Sequence, residues 1–126
     1  TNAVLAPDTG VLTWRPLVTQ ADSTNPFTVI VADNGTPSLS ATQSFVVTVS
    51  NLVSPVISAP LLSNGELSFQ ITGASGPDYQ IQSSTNLADW TAVFTTNAPP
   101  MPLLWTNHIT NGPVNFFRIR VGPPLP

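Results

Sequence analysis

Residues 27–49 read FTVIVADNGTPSLSATQSFVVTV, and this stretch decides the class of fold. Two runs rich in Val, Phe and Thr flank a turn at Asp33–Pro37, where Asn-Gly accepts positive φ and the proline cannot continue a ladder. In the second run Phe45, Val47 and Val49 share one face, which is the alternation of a half-buried strand. The stretch therefore predicts a β-hairpin.

The rest of the chain repeats this pattern of short strands and turns. Fourteen prolines and seven glycines interrupt the 126 residues, so no window keeps the apolar spacing of a helix. Regular short strands joined by Gly, Pro and Asn turns favour an all-β sandwich. Besides the hairpin, strands are predicted at 11–14, 66–72, 79–84, 90–96, 103–106 and 115–121.

We predict two β units, residues 1–53 and residues 54–126. The boundary is placed near Ser54 because Asn51–Pro60 is uncharged and contains two prolines, as inter-domain joints do. In the last strand Arg118 and Arg120 alternate with apolar residues, so both arginines are expected on the outer face. The side chains predicted to anchor the cores are Trp14, Phe27, Phe45, Phe69, Trp90 and Phe117.

Charge is scarce, and its scarcity excludes several functions. Only 7% of residues are charged and the net charge is −3, whereas roughly 25% is typical of soluble domains. Nucleic-acid binding is not expected, because it needs clustered cations. The chain has no lysine and no cysteine, which excludes Schiff-base chemistry, a P-loop, thiolate nucleophiles and Cys-ligated zinc. No apolar run is long enough for a membrane helix. Weak charge repulsion permits self-association.

Catalysis is not expected. His108 is the single histidine, and it lies in a polar stretch with no carboxylate near it in the sequence. No Gly-x-Ser-x-Gly elbow is present. The aspartates fall in predicted turns and Glu66 follows an Asn-Gly turn, which is the ordinary structural use of such residues. The sequence therefore predicts a protein that is not an enzyme.

Aromatic residues give the binding candidates. Trp105 adjoins a polar loop and is the predicted sugar-stacking residue, with Asn86 and Asp89 as hydrogen-bonding partners. Phe116 should point away from the core if Phe117 points into it, because neighbours on a strand face opposite sides. Phe116 is therefore a predicted self-association residue. Leu125 is the other, because it lies in the apolar tail at 121–126, which could serve as a short donor strand.

Two family resemblances can be read from longer segments. The first unit contains DTGVLTWRP at 8–16, FTV at 27–29, DNGTPSLS at 33–40 and FVVTV at 45–49. This order resembles the C-terminal half of a bacterial cadherin-like or putative Ig domain, over about residues 1–50. The second unit contains YQIQSSTNLADWT at 79–91 and FFRI at 116–119. It resembles the fibronectin-III-like C-terminal modules of secreted proteins from Verrucomicrobia- and Planctomycetes-type bacteria, over about residues 55–126.

The resemblances imply a partial Ig/cadherin-like sandwich followed by a fibronectin-III-like β-sandwich, outside the cell or on its surface. Cadherin relatives bind calcium, which makes Asp33 the metal candidate; no other cofactor is implied. Further strands of the first family would precede Thr1. The first unit is therefore expected either to be cut from a longer protein or to receive a strand from a neighbouring copy.

The expected function is a non-enzymatic structural or adhesion module, including a subunit of an extracellular filament with strand-completed sheets. The alternative is a carbohydrate-binding accessory module of a secreted hydrolase. Expected partners are further copies of the chain, neighbouring domains of a parent chain, or a glycan.

Overall fold

The computed structural model describes residues 2–109 and 115–125. The chain divides into two compact units, residues 1–51 (unit 1) and residues 52–126 (unit 2). Within the described residues the regular elements are β-strands, apart from one turn of 3₁₀ helix at Val18–Gln20. The predicted all-β class is confirmed. The predicted boundary near Ser54 lies three residues after Asn51, where unit 1 ends.

Unit 1 consists of two antiparallel hairpins. Strand β1 (Val4–Leu5) pairs with β2 (Leu12–Thr13), and β3 (Ser23–Ala32) pairs with β4 (Ser40–Val49). The second hairpin is the predicted one, with Phe27 opposite Phe45. Each of its strands has ten residues, because each begins four residues before its predicted run and ends where that run ends.

The hairpins of unit 1 cover their apolar side chains only in part. The Trp14 and Phe27 rings meet edge to face at 5.2 Å, and Phe27 stacks on Phe45 at 5.5 Å. Trp14 and Phe27 are half-buried, but Phe45 is 38% exposed. The prediction of Phe45 as a buried anchor is wrong, because Phe45 lies on a two-stranded sheet and the described residues of unit 1 cover its ring only in part.

Unit 2 is a two-layer sandwich. One sheet has the order β5-β6-β9, formed by Val56–Ser63, Glu66–Thr72 and Leu103–His108. The other has the order β10-β7-β8, formed by Phe116–Gly122, Asp78–Ser84 and Thr91–Thr96. Neighbouring strands in both sheets are antiparallel.

Strand β5 corrects one prediction. Residues 56–60 were expected to be part of the linker but belong to the first strand of unit 2. The pairing of β5 with β6 shifts between Ser58 and Leu61, and Ala59 has φ of 50°. A bulge on an edge strand tolerates a proline, so Pro60 does not end the strand.

The core of unit 2 lies between its two sheets. Its buried apolar side chains are Phe69, Ile71, Tyr79, Ile81 and Trp105. Phe69 is confirmed as an anchor, and Phe117 is half-buried against this cluster. The core also includes, at its margin, Leu67, Met101, Leu103, Ile119 and Val121.

Candidate functional site

The candidate site is the face of the β10-β7-β8 sheet that points away from the core, called here the outer face. Tyr79 and Ile81 of β7 point into the core and are fully buried. The alternate residues of β7 are polar, yet they are 4–6% exposed: Asp78, Gln80, Gln82 and Ser84. Buried polar side chains are more informative than exposed apolar ones, because burial is costly unless each group finds a partner.

A chain of hydrogen bonds crosses the outer face from β10 to β8. Arg118 Nε donates to Gln82 Oε1 at 2.7 Å, and Gln82 Nε2 donates to Gln80 Oε1 at 2.6 Å. Gln80 Nε2 then donates to Thr95 Oγ1 at 3.3 Å. Because a guanidinium can only donate, Arg118 fixes the orientation of both amides. Both arginines are exposed and opposite these glutamines in register, so their predicted place on the outer face is confirmed.

Trp90 lies beside this chain of hydrogen bonds and not in the core. The Arg118 guanidinium carbon is 4.2 Å from the centre of the Trp90 ring, a cation–π arrangement. The indole N–H donates to the Leu87 carbonyl at 3.1 Å. Trp90 is half-buried, so its prediction as a core anchor is wrong.

A β-bulge explains this change of face. Ile81 pairs with Phe94, but Gln82 pairs with Ala92, so Val93 is the extra residue on β8. An extra residue reverses the in-and-out alternation for the part of the strand that precedes it. Ala92 is therefore opposite Gln82 on the outer face, and Trp90 follows the same alternation.

Asn86 and Asp89, two of the predicted binding residues, hold the loop that carries Trp90. Asn86 Oδ1 accepts from the backbone N–H groups of Ala88 and Asp89 at 3.0 and 2.8 Å. Asn86 Nδ2 donates to Asp89 Oδ2 at 2.8 Å. These side chains form an Asx-type turn that positions the loop, and their contact with a ligand stays a prediction.

Trp105, the third predicted binding residue, is in the core. It is 5% exposed and contacts the rings of Phe69 and Phe117 at centroid distances of 4.8 and 5.6 Å. The prediction that Trp105 stacks on a sugar is therefore corrected. Its position follows from the register of β9, which places Trp105 opposite Phe69.

No family model, curated protein or solved structure matches this chain. Within the described ranges, no helix is both long enough and apolar enough to cross a membrane.

Asp33, the calcium candidate, closes the loop between β3 and β4. Its Oδ1 accepts from the backbone N–H groups of Gly35 and Leu39 at 3.0 and 2.9 Å. These two hydrogen bonds lower the pKa of the Asp33 carboxyl below its ordinary value, and the bond from Leu39 has the larger effect. Among residues 2–109 and 115–125, no group of three or more His, Asp or Glu side chains could hold a metal.

The Asp33 contacts predict an acid-sensitive loop. A carboxyl whose pKa is lowered by folding stabilises the folded form fully above the unfolded pKa, and this contribution disappears as the pH falls through the lower folded pKa. We expect the Gly35 and Leu39 amide signals in NMR spectra to titrate together below pH 3.8, the ordinary pKa. In Asp33→Ala both amides should exchange with solvent faster at neutral pH. A shared midpoint at or above the ordinary pKa would contradict this account.

His108 is the last residue of β9, not a loop residue, and it is exposed. In register it is opposite Glu66, a proximity that the sequence did not indicate. A cleft of about 170 Å³ touches His108, which is the one titratable side chain in its described lining. Pockets that hold small molecules are typically about 300–1,000 Å³, so this cleft is small for a substrate.

The two predicted self-association residues differ in their surroundings. Phe116 is 36% exposed and opposite Ser84 on the outer face, as predicted from Phe117 pointing into the core. Leu125 packs on its own chain. A Cβ added to Gly122 would lie 2.6 Å from Leu125 Cγ. The half-buried Leu125 side chain therefore lies against Gly122, and its part in self-association stays a prediction.

Proposed function

We propose that this chain is a non-enzymatic structural or adhesion module of a secreted or cell-surface bacterial protein, and that a strand of a second copy extends the sheet of unit 1. The observation that carries the proposal is the β3–β4 sheet, which has two ten-residue strands and no third strand among the described residues. No described residue of unit 1 is buried. An isolated two-stranded hairpin is marginally stable in water, so a further strand would stabilise it.

The free edge of β4 is better suited to this pairing than that of β3. Proline is tolerated in a strand where its missing N–H would point away from the neighbouring strand, so Pro26 interrupts the free edge of β3. Pro26 is opposite Val46, which makes this a non-hydrogen-bonded pair whose Val46 N–H points to the free edge. The same alternation turns the Ser44 carbonyl outward, in agreement with its bond from Gln43 Nε2 at 3.1 Å.

The composition of the hairpin favours a second copy as the occupant. Neither Ser23–Ala32 nor Ser40–Val49 contains a charged residue. Edge strands are commonly protected by lysine, other charges or proline, and β4 has none of these. Two β4 strands from separate copies would therefore meet without charge repulsion. Antiparallel pairing of like strands gives a dimer, and pairing of unlike edges gives a filament.

Val46→Pro tests this assignment. The substitution removes an N–H that points to the free edge and leaves the hydrogen bonds of the hairpin in place. In sedimentation velocity we expect wild-type protein to associate as its concentration rises. Val46→Pro should raise the dissociation constant of each interface about tenfold. Val46→Thr keeps the N–H and is the matched control. Wild-type protein that stays monomeric at all concentrations would contradict the proposal.

The finer fold type belongs to the same proposal. An Ig- or cadherin-like unit 1 and a fibronectin-III-like unit 2 are supported by the resemblances in the sequence. The facing three-stranded antiparallel sheets of unit 2 are compatible with the second of them. Such modules act as spacers and adhesion elements.

A carbohydrate-binding accessory module of a secreted hydrolase is the second candidate function. Trp105 does not support it, because this side chain is buried. The half-buried Trp90 beside Arg118 on the outer face is the observation that does.

A further inference from the structure

We propose that the outer face of unit 2 binds a polysaccharide that bears carboxylates, with Arg118 and Arg120 as the residues that take the carboxylate groups. This inference rests on the second candidate function above, for which it names the ligand class and the binding residues, and it is separate from the strand pairing proposed for unit 1. It rests on Arg118, Arg120 and the aromatic residues beside them, and the edge of β4 plays no part in it.

Arg118 is held in an orientation suited to a carboxylate. Its guanidinium lies over Trp90 at 4.2 Å, and its Nε is committed to Gln82. The described residues accept no hydrogen bond from its two terminal nitrogens. These nitrogens form the end-on fork of the guanidinium, which can donate two parallel hydrogen bonds to one carboxylate.

The buried glutamines explain why this orientation is stable. Gln80 and Gln82 are 4% and 5% exposed, and each amide oxygen accepts while each amide nitrogen donates. A buried hydrogen-bonded network of this kind holds its members in one arrangement. Arg118 is thus positioned before a ligand arrives, which reduces the entropy lost on binding.

The two arginines form a cationic pair on one face of β10. Arg118 and Arg120 point to the same face of β10, and two residues of a strand span about 6.6 Å. Neither forms an ion pair with a carboxylate among the described residues. In a chain with three basic residues and a net charge of −3, this is a local concentration of positive charge.

The aromatic residues favour a glycan over other anionic chains. Phe116, Arg118 and Arg120 follow one another on the outer face of β10, and Trp90 lies beside Arg118. A polyuronate presents both carboxylates and the apolar faces of sugar rings, which pack on aromatic side chains. An acidic peptide presents the carboxylates without those ring faces. Nucleic acids require more cations than this face contains.

Affinity electrophoresis tests the proposal with two matched polymers. The wild-type chain is run in gels that contain polygalacturonate or its fully methyl-esterified form, which has the same sugars without the charge. We expect polygalacturonate to slow the protein, methyl-esterified polymer to slow it much less, and high salt to reduce the effect. Arg118→Gln and Arg120→Gln should each weaken binding about tenfold or more.

Arg15→Gln is the control, because it changes the net charge equally but lies in unit 1. It should bind like wild type, and circular dichroism should show all variants folded. Equal losses in Arg15→Gln and Arg118→Gln would overturn the proposal, as would equal binding of the two polymers or no binding at all. Equally tight binding of polyglutamate would overturn the glycan assignment. Val46→Pro leaves Arg118 and Arg120 in place, so this variant should bind polygalacturonate like wild type. Polygalacturonate binding and strand pairing are therefore tested independently.

Discussion

Trp105→Ala is expected to destabilise unit 2 by about 3–5 kcal/mol, the cost of removing a buried tryptophan from a packed core. Trp105 is 5% exposed and belongs to a cluster of three rings with Phe69 and Phe117. Whole proteins are stable by about 5–15 kcal/mol, so this loss is a large part of the total. Thermal unfolding followed by circular dichroism should show the melting temperature lowered by more than about 12 °C.

Trp90→Ala is the matched control, because it removes the same side chain from the outer face. Trp90 is half-buried, and its specific contacts are the Arg118 guanidinium and the Leu87 carbonyl. An exposed cation–π pair contributes about 0.5–1 kcal/mol. The melting temperature should therefore fall much less than in Trp105→Ala. Equal losses in the two variants would contradict the placement of the two tryptophans.

Gly73→Ala is expected to destabilise unit 2 by about 1–3 kcal/mol through overpacking. A Cβ at this position would lie 2.5 Å from the Tyr79 hydroxyl oxygen and 3.3 Å from two ring carbons. Tyr79 is fully buried, and its hydroxyl donates to the Ala74 carbonyl at 2.7 Å. The ring cannot move aside without losing this bond or its packing. Denaturant unfolding would measure the change in the free energy of unfolding.

A double-mutant cycle with Tyr79→Phe isolates this contact. Tyr79→Phe alone should cost about 0.5–1.5 kcal/mol, because it removes one hydrogen bond. It also removes the oxygen nearest to the added methyl group. The double variant should therefore be less destabilised than the sum of the single variants, by an interaction energy of about 0.5 kcal/mol or more. Additive losses would show that Gly73 is needed for another reason.

Most strand positions could be predicted from local pattern. Strand β6 was predicted at 66–72 and has these bounds, and the hairpin turn lies where Asn-Gly and Pro37 place it. Alternation and turn residues are local signals, so they do not depend on what covers the strand. The linker prediction failed at 56–60 because a bulge, which the pattern does not reveal, allows a proline within β5.

The candidate site was predictable only in its parts. The sequence shows that Gln80 and Gln82 share one face of a predicted strand, and that Arg118 and Arg120 share one face of another. It does not show their pairing, because 36 residues separate Arg118 from Gln82. Local pattern also predicted both tryptophans wrongly, because Trp105 is in the core and Trp90 is on the outer face. Leu103, Leu104 and Trp105 form an apolar run without alternation, and Val93 adds a residue to β8 that reverses the face of Trp90.

The sequence by itself determined that this protein is built from β-strands, where most of them begin and end, and that lysine and cysteine chemistry is absent. These properties follow from composition and from period-two alternation, which act over a few residues. Only the tertiary structure decided which tryptophan is buried and which supports Arg118. Register and bulges set the face of each side chain, and they arise from pairing between distant strands, where a shift of one residue reverses inside and outside.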